Sequence, residues 1–297
     1  MSDQQKTMAV VGAGVIGLSW ARLARDHGWR VGITDPREDL DAVVEATFGA
    51  GDPDVFASHT LAEVVAEADL VQENGPERLA VKHDLFGQFL ESAPEHAVLA
   101  TSSSSIGATL IADGLDASDR IVVGHPFNPP ELMPLVEVVP GAHTSDSTLR
   151  TALELYRALG RAPIVIRREV PGFVANRLQV ALTREALYLV AEGVVSVPDL
   201  DFALQNSLGL RWAATGLFEG NALGGGPEGA RHLYKGLGAE VGKITPGTPP
   251  SDPQIVEQLL EAIDTAYGTG DENYHRLLTR RNERTRAILA ALHQLDA

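Results

Sequence analysis

A histidine and a glutamate stand twelve positions apart in a segment that is rich in proline. The segment at 121–139 reads IVVGHPFNPPELMPLVEVV, with His125 at the end of one apolar run and Glu137 inside the next. The prolines between them fix φ and disfavour helix, so the chain is expected to reverse and to return Glu137 towards His125. A carboxylate beside an imidazole fixes the tautomer and stabilises the imidazolium, as a general base requires. The pattern predicts a catalytic pair.

Both residues also have explanations that involve no chemistry. A histidine at the end of a strand is often a core or loop residue, and a glutamate inside LVEVV could face solvent from a half-buried strand. The choice between these interpretations depends on the elements that surround the segment and on what those elements bind.

A glycine turn near the N-terminus has the spacing of a dinucleotide-binding motif. The glycines of its GAGVIG sequence are Gly12, Gly14 and Gly17. They follow an apolar strand at 8–11 and open a helical pattern that runs to His27, and a second strand at 31–34 ends before Asp35. Such glycines permit a tight turn and close approach of the pyrophosphate, which the helix N-terminus attracts. We therefore predict NAD as cofactor, because Asp35 would bond the ribose hydroxyls and repel the 2′-phosphate of NADP; Arg37 nearby weakens that exclusion slightly.

Apolar runs alternate with helical patterns as far as residue 168. Strand patterns recur at 70–71, 98–100, 121–123 and 162–166, and helical patterns at 61–68, 79–90 and 149–159. This alternation predicts an α/β fold with a doubly wound, parallel sheet of the Rossmann type.

The strand patterns disappear after residue 168. Helical patterns follow at 173–193, 199–208, 255–267 and 272–292, with loops at 224–229 and 245–253. We therefore predict an NAD-binding Rossmann domain at 1–168 and an all-helical domain at 169–297 that serves substrate binding and dimerisation.

The composition excludes several classes of chemistry. The 297 residues include no cysteine, which excludes disulfides, thiolate metal sites and cysteine nucleophiles, and the nine histidines form no HExxH-type pair. The formal net charge of −16, from 24 basic and 40 acidic residues, argues against nucleic acid or an anionic membrane as partner. No apolar run approaches the roughly 18 residues that cross a bilayer. We expect a cytoplasmic protein with a small-molecule substrate and no metal.

Four blocks of sequence are specific in combination. They are GAGVIG with Asp35, QENGPE at 72–77 with Lys82, TSSSS at 101–105, and HPFNPP with LVEVV and PGFVANRL at 171–178. In this order they resemble the 3-hydroxyacyl-CoA dehydrogenase superfamily over essentially the whole chain. The sequences VQENGPERLAVK, SSSS, HPFNPP and GLRWA resemble those of the branch that contains L-carnitine dehydrogenase and lambda-crystallin (L-gulonate 3-dehydrogenase).

The resemblance implies a role for each matched residue. His125 is the base and Glu137 its partner, Ser104 bonds both the reacting oxygen and the cofactor side, and Asn176 bonds the substrate. The nicotinamide-ribose side of the site is lined by Glu77, Lys82 and Asn128. These roles fit the oxidation of a secondary alcohol, in which a base removes the hydroxyl proton as hydride leaves carbon.

The supporting residues are open to other interpretations when each is taken alone. The serine run could be an ordinary helix N-cap cluster. Asn176 could face solvent from its helix, and Lys82 could be a surface residue.

One segment departs from the family pattern. Relatives that use CoA carry a lysine-rich helical hairpin after the ribose-binding acid, whereas here no Lys or Arg occurs between Arg37 and Arg78. The phosphates of CoA would meet acidic residues in this segment. We therefore predict a small L-3-hydroxy carboxylic acid as substrate. A 3-hydroxyacyl-CoA dehydrogenase and a structural, NADH-binding protein of the crystallin type stay as alternatives.

A free carboxylate requires a cationic partner, and a guanidinium suits it geometrically. Arg211 and Arg231 are the candidates, although each could instead form a salt bridge on a helix surface. Trp212 and Phe218 could contact a trimethylammonium group through cation–π attraction, or could be core or interface residues. A helical domain of this kind often dimerises through its apolar faces, and we predict a homodimer.

Overall fold

The computed structural model of the chain describes residues 5–296. The chain folds into two compact units, of which the first ends at Arg177 and the second begins at Leu178. The boundary expected after residue 168 lies N-terminal to this division, in the connection between the last strand and the next long helix. The two units are described in turn.

Eight strands of the first unit form one sheet. They are β1 (Thr7–Val11), β2 (Arg30–Thr34), β3 (Val55–Ala57), β4 (Leu70–Glu73), β5 (Val98–Thr101), β6 (Ile121–Pro126), β7 (Leu135–Pro140) and β8 (Ala162–Val165). Their order is β3-β2-β1-β4-β5-β6-β7-β8, and every neighbouring pair is parallel except β6 and β7. The predicted α/β fold with a doubly wound sheet is confirmed.

Helices cover both faces of this sheet. They are α1 (Val15–Asp26), α2 (Leu40–Phe48), α3 (Leu61–Val65), α4 (Leu79–Ser92), α5 (Ala108–Ala112) and α6 (Asp146–Ala158). Trp20 of α1 and Tyr156 of α6 belong to one buried apolar cluster, and Phe86 and Phe89 of α4 to the other. Because the central strands are buried on both faces, their sequences are continuously apolar.

Eight helices follow the sheet. They are α7 (Ala175–Ala191), α8 (Val197–Asn206), α9 (Leu208–Ala214), α10 (Leu217–Gly224), α11 (Ala230–Lys235), α12 (Leu237–Val241), α13 (Pro253–Tyr267) and α14 (Asp271–Asp296). No strand occurs between 178 and 296, as expected from the sequence. The predicted start of α7 at Phe173 is wrong by two residues, because Phe173 has a φ of +44° and cannot belong to a right-handed helix. Within the described residues, no helix is both long and apolar enough to cross a membrane.

Candidate active site

His125 and Glu137 face each other across the antiparallel pair β6–β7. They occupy opposite positions in its register, and the His125 Nδ1 atom lies 2.9 Å from Glu137 Oε2. The two residues are 7% and 1% exposed. A carboxylate only accepts hydrogen bonds, so Nδ1 carries the proton and Nε2 keeps its lone pair. Nε2 has no hydrogen-bond partner among the described residues. Because every fully buried side-chain nitrogen or oxygen of these residues has a partner, Nε2 is not fully buried.

The second oxygen of Glu137 holds the start of a helix. Oε1 accepts hydrogen bonds from the backbone N–H groups of Val174 at 2.8 Å and Ala175 at 3.0 Å, where α7 begins. Burial alone would raise the pKa of Glu137, but the hydrogen bonds from His125, Ala175 and Val174 outweigh it and hold the pKa below its ordinary value. Glu137 is thus ionised beside the imidazole at neutral pH.

The glycine turn has the geometry of a phosphate-binding loop. Gly12 has a φ of +104°, and a Cβ on it would lie 2.9 Å from the backbone of Asn74. A Cβ on Gly17 would lie 1.8 Å from the carbonyl oxygen of Gly12, so helix α1 packs directly on the turn. A Cβ on Gly14 would meet nothing within 4 Å. Gly14 is also the N-cap of α1, so open space lies beside the positive end of the helix.

Asp35 closes the same turn from the end of β2. Its Oδ2 accepts from the Ala13 N–H at 2.7 Å, and its Oδ1 accepts from the Arg37 N–H at 2.9 Å. The guanidinium of Arg37 is engaged by Asp39, with Nε 2.7 Å from Oδ1. Arg37 is therefore paired with a carboxylate. It is less available to bind the 2′-phosphate of NADP than the sequence suggested.

Lys82 is not a surface residue but one half of a buried ion pair. Its Nζ lies 3.0 and 2.8 Å from the two carboxylate oxygens of Glu73, and 3.5 Å from Glu77 Oε2. Glu73 also accepts from the Thr101 hydroxyl and the Gly75 N–H. This role of Glu73 was not predicted, although an acid at the end of the apolar strand LVQE is a signal for it.

The serine run wraps around Glu77. The Ser103 and Ser105 hydroxyls donate to Glu77 Oε1 at 2.6 and 2.7 Å. Partial burial would raise the pKa of Glu77, but these two hydrogen bonds and the charge of Lys82 outweigh it and lower the pKa. The side chain of Ser104 lies between them in sequence, is half-buried, and makes no hydrogen bond to any described residue. Ser104 is therefore free to bond a ligand.

A polar chain runs beneath the same edge of the sheet. The buried Tyr156 hydroxyl donates to Gln72 Oε1 at 2.7 Å, and Gln72 Nε2 donates to Ser102 Oγ at 2.8 Å. Ser102 in turn donates to Asn74 Oδ1 at 2.7 Å. Asn74 lies against Gly12, so this chain supports the glycine turn from the core.

The remaining expected residues lie in three places. Asn128 is exposed in the turn between β6 and β7, and Asn176 is half-buried in the first turn of α7. Arg211 on α9 and Arg231 on α11 are exposed in the second unit, and neither forms a salt bridge with a described residue. No group of three or more His, Asp or Glu side chains between residues 5 and 296 is arranged to hold a metal ion.

The match of both units defines the class of protein. Residues 53–170 match the NAD-binding domain of 3-hydroxyacyl-CoA dehydrogenase, and residues 172–275 match its C-terminal domain. The chain belongs to the 3-hydroxyacyl-CoA dehydrogenase family. It is therefore an NAD-dependent oxidoreductase that acts on a CH–OH group.

Individual relatives carry different names. The chain is 44% identical over 257 residues, covering 81% of it and 80% of the relative, to a 3-hydroxyacyl-CoA dehydrogenase of Gibberella moniliformis. It is 36% identical over 307 aligned positions, covering 98% and 95%, to an L-carnitine dehydrogenase of Burkholderia mallei. Among solved structures, an NAD+-dependent dismutase, 5-formyl-3-hydroxy-2-methylpyridine 4-carboxylic acid 5-dehydrogenase, matches with a TM-score of 0.78 and 26% identity over 99% of both chains.

Proposed function

We propose that this chain oxidises the 3-hydroxyl of a small L-3-hydroxy carboxylic acid, with His125 as general base and Glu137 as its partner. The contact of 2.9 Å between His125 Nδ1 and Glu137 Oε2 carries the proposal. Oxidation of an alcohol requires an acceptor for the hydroxyl proton, and the free Nε2 supplies one. The ionised Glu137 stabilises the imidazolium that this proton transfer creates.

The glycine turn fits the pyrophosphate of NAD, because the space beside Gly14 is open and faces the N-terminus of α1. Asp35 would accept from the adenosine ribose, and NAD supplies the hydride acceptor. Ser104 would donate a hydrogen bond to the reacting oxygen, and Asn176 would donate one to the substrate. In the reverse direction these hydrogen bonds would polarise the carbonyl. On the nicotinamide-ribose side we assign Glu77 and Asn128, with Lys82 supporting Glu77 from the interior at 3.5 Å.

The absence of basic residues between Arg37 and Arg78 supports a free acid as substrate. The segment contains α2, β3 and α3, and its charged side chains are all acidic, so it offers no cation for the phosphates of CoA. The relatives named L-carnitine dehydrogenase favour the same substrate class. For the substrate carboxylate we propose Arg211 and Arg231, since both guanidinium groups are exposed and unpaired among the described residues.

A second candidate is a 3-hydroxyacyl-CoA dehydrogenase. The name of the relative that is 44% identical favours it. Its reaction would use the same base and the same cofactor, so the two candidates differ only in the group attached to the hydroxy acid.

A comparison of substrates tests the proposal. NAD reduction would be measured with L-carnitine, L-gulonate and L-3-hydroxybutyrate, and with L-3-hydroxybutyryl-CoA. We expect a higher kcat/KM for at least one free acid, and His125→Gln should lower its kcat by about 10²–10⁴-fold while NADH binding persists. His143→Gln, on an exposed loop, is the matched control and should leave kcat unchanged.

Each contrary result has a distinct meaning. Retained turnover in His125→Gln would remove the proposed base. A preference for the CoA ester would replace the free acid with the second candidate. Tight NADH binding without turnover on any of these substrates would favour a structural, NADH-binding protein.

We also propose a homodimer formed through the second unit, and a cytoplasmic location. Phe202, Leu210, Phe218 and Leu223 are all between 67% and 76% exposed, and burial of these side chains in an interface would favour association. A cavity of about 1020 Å³ lies among α8, α9 and α14 of the same unit. Light scattering should give about twice the chain mass of 31.6 kDa, and Phe202→Glu with Phe218→Glu should give the monomer. A monomeric wild type would contradict the dimer.

A further inference from the structure

The connection from β8 to α7 contacts the serine run, helix α5 and Glu137. The Gly172 N–H donates to the Ser104 carbonyl oxygen at 3.1 Å. Glu169 Oε1 accepts from the Thr109 N–H at 3.0 Å, in the helix that follows the serine run. The next two amides after Phe173 donate to Glu137. The connection thus links the serine run to Glu137, the partner of His125.

Phe173 is the residue on which this connection turns. Its φ of +44° is in the left-handed region, and Ala117 is the only other described non-glycine residue with positive φ. A residue with a Cβ is strained in that conformation, because the Cβ approaches the following carbonyl oxygen. Such strain persists only where the surroundings enforce it, and it is concentrated at functional sites.

Burial of the aromatic ring enforces this conformation. Phe173 is 2% exposed and belongs to the apolar cluster that includes Val139 of β7 and Ile111 of α5. Its ring also packs on the imidazole of His125, with ring centroids 5.5 Å apart and planes inclined at 57°. The strained backbone therefore places an aromatic ring against the base.

We propose that Phe173 is a positioning residue for the base, an inference that rests on the proposed role of His125. The single hydrogen bond to Glu137 leaves the imidazole able to rotate about its Cβ–Cγ bond, and such a rotation would break the contact between Nδ1 and Glu137 Oε2 that selects the tautomer. The ring of Phe173 limits this movement from the side. The backbone of the same residue directs the Val174 and Ala175 amides to Glu137 Oε1, which in turn holds Oε2 towards His125. One residue thus restrains both members of the pair.

The test separates the aromatic ring from the general effect of core packing. Phe173→Leu and Phe173→Met keep apolar burial but remove the ring, whereas Phe173→Tyr keeps the ring. Phe89→Leu is the matched control, because Phe89 is buried against Phe86 on α4 and belongs to the same apolar cluster without contacting His125. Thermal unfolding identifies the variants that fold, and Phe173→Met replaces Phe173→Leu if the leucine variant does not.

The first measurement is the imidazole tautomer, which requires neither substrate nor turnover. Nitrogen-15 NMR of the histidine-labelled full chain in mildly alkaline buffer, with the signal assigned through His125→Gln, should show wild-type His125 in the Nδ1–H form. We expect a mixture of tautomers in the Leu and Met variants, and the wild-type form in Phe173→Tyr and Phe89→Leu. An unchanged tautomer in both ring-deleted variants would overturn the proposal.

The second measurement is the division of the kinetic effect between kcat and KM, on the best free acid of the substrate panel. Loss of the ring should lower kcat by about 10-fold, because misplacement of a catalytic group slows the reaction, and should leave the KM for NAD within about 2-fold. An equal loss in Phe89→Leu would show that packing alone is responsible, which contradicts the inference. If no substrate turns over but the tautomer shifts, the function proposal fails and the positioning role stands.

Discussion

Lys82 and Glu73 form a salt bridge that water does not reach, with side-chain exposures of 1% and 0%. The ammonium lies 2.8 Å from the nearer carboxylate oxygen. Glu73 ends β4 and Lys82 lies in the first turn of α4, so the pair fixes the loop that carries Glu77. The loop geometry on the proposed nicotinamide side therefore depends on two charges in the protein interior.

Removal of one charge from this pair should destabilise the protein strongly. Glu73→Gln leaves the buried ammonium of Lys82 with only the half-exposed carboxylate of Glu77 as counter-charge, at 3.5 Å, and breaking a buried pair costs up to roughly 3–5 kcal/mol. Urea denaturation should show a fall of that size in the free energy of unfolding. The double variant Glu73→Gln with Lys82→Met, which removes both charges, should lose less than the sum of the single variants.

An exposed ion pair gives the comparison. Lys243 and Glu240 are 69% and 70% exposed, so Lys243→Ala should change the free energy of unfolding by less than about 1 kcal/mol. If Glu73→Gln lowered the free energy of unfolding no more than Lys243→Ala does, the buried charge of Lys82 would not depend on Glu73 for its stabilisation.

The lowered pKa of Glu137 predicts a loss of stability in acid. The group is ionised in the folded protein at pH values where the unfolded chain, with an ordinary pKa of 4.5, already binds a proton. The stabilisation is thus complete above that pH and is lost as pH falls through the lower, folded pKa. In Glu137→Gln the free energy of unfolding should fall less steeply over this window, by up to about 1.4 kcal/mol per pH unit.

The control for the acid experiment is Glu91→Gln, an exposed substitution on α4 that makes the same change of charge. Its pH profile should stay close to that of the wild type. Equal slopes for wild type and Glu137→Gln would mean that the carboxylate of Glu137 is not stabilised by its contacts to His125 and α7.

The sequence was sufficient for most of the sheet and for the contact between His125 and Glu137. Apolar runs identify the central strands because these are buried on both faces. In the proline-rich reversal, the alternation of β6 and β7 determines which side chains share a face, and these two residues lie opposite in the register. Strand β3 was not predicted, because its apolar run is only three residues long and half-buried. Helix α2 was not predicted either.

The sequence patterns did not predict side-chain partners that depend on three-dimensional packing. Lys82 follows an ordinary amphipathic pattern, so its burial against Glu73 depends on where α4 lies on the sheet. The left-handed Phe173 had no signal, because glycine is the residue that sequence rules associate with positive φ. The expectation of a helix from 173 was wrong for this reason.

Two glycine substitutions should separate cofactor binding from folding. At Gly14 a methyl group meets no protein atom within 4 Å, so Gly14→Ala should lower thermal stability only by the small cost of Ala at an N-cap. The same methyl group should weaken NADH binding by intruding on the pyrophosphate. At Gly17 the added Cβ would lie 1.8 Å from the Gly12 carbonyl, so Gly17→Ala should lower both stability and NADH affinity. Fluorescence titration and thermal melting measure the two effects. Unchanged NADH affinity in Gly14→Ala would place the pyrophosphate elsewhere.

The pairing of Arg37 with Asp39 predicts how cofactor preference can be changed. Asp35→Ser removes the charge that would repel a 2′-phosphate, but Arg37 stays bound to Asp39, with Nε and an Nη atom 2.7 and 3.1 Å from its carboxylate oxygens. The single variant should therefore lose activity with NAD and gain little with NADP. Adding Asp39→Asn removes the competing charge, and guanidinium binds phosphate well. The double variant should raise the NADP-to-NAD ratio of kcat/KM by about 10-fold over Asp35→Ser, which is the scale of one added charge-assisted hydrogen bond. If Asp39→Asn adds nothing to Asp35→Ser, Arg37 does not reach the ribose side of the bound cofactor.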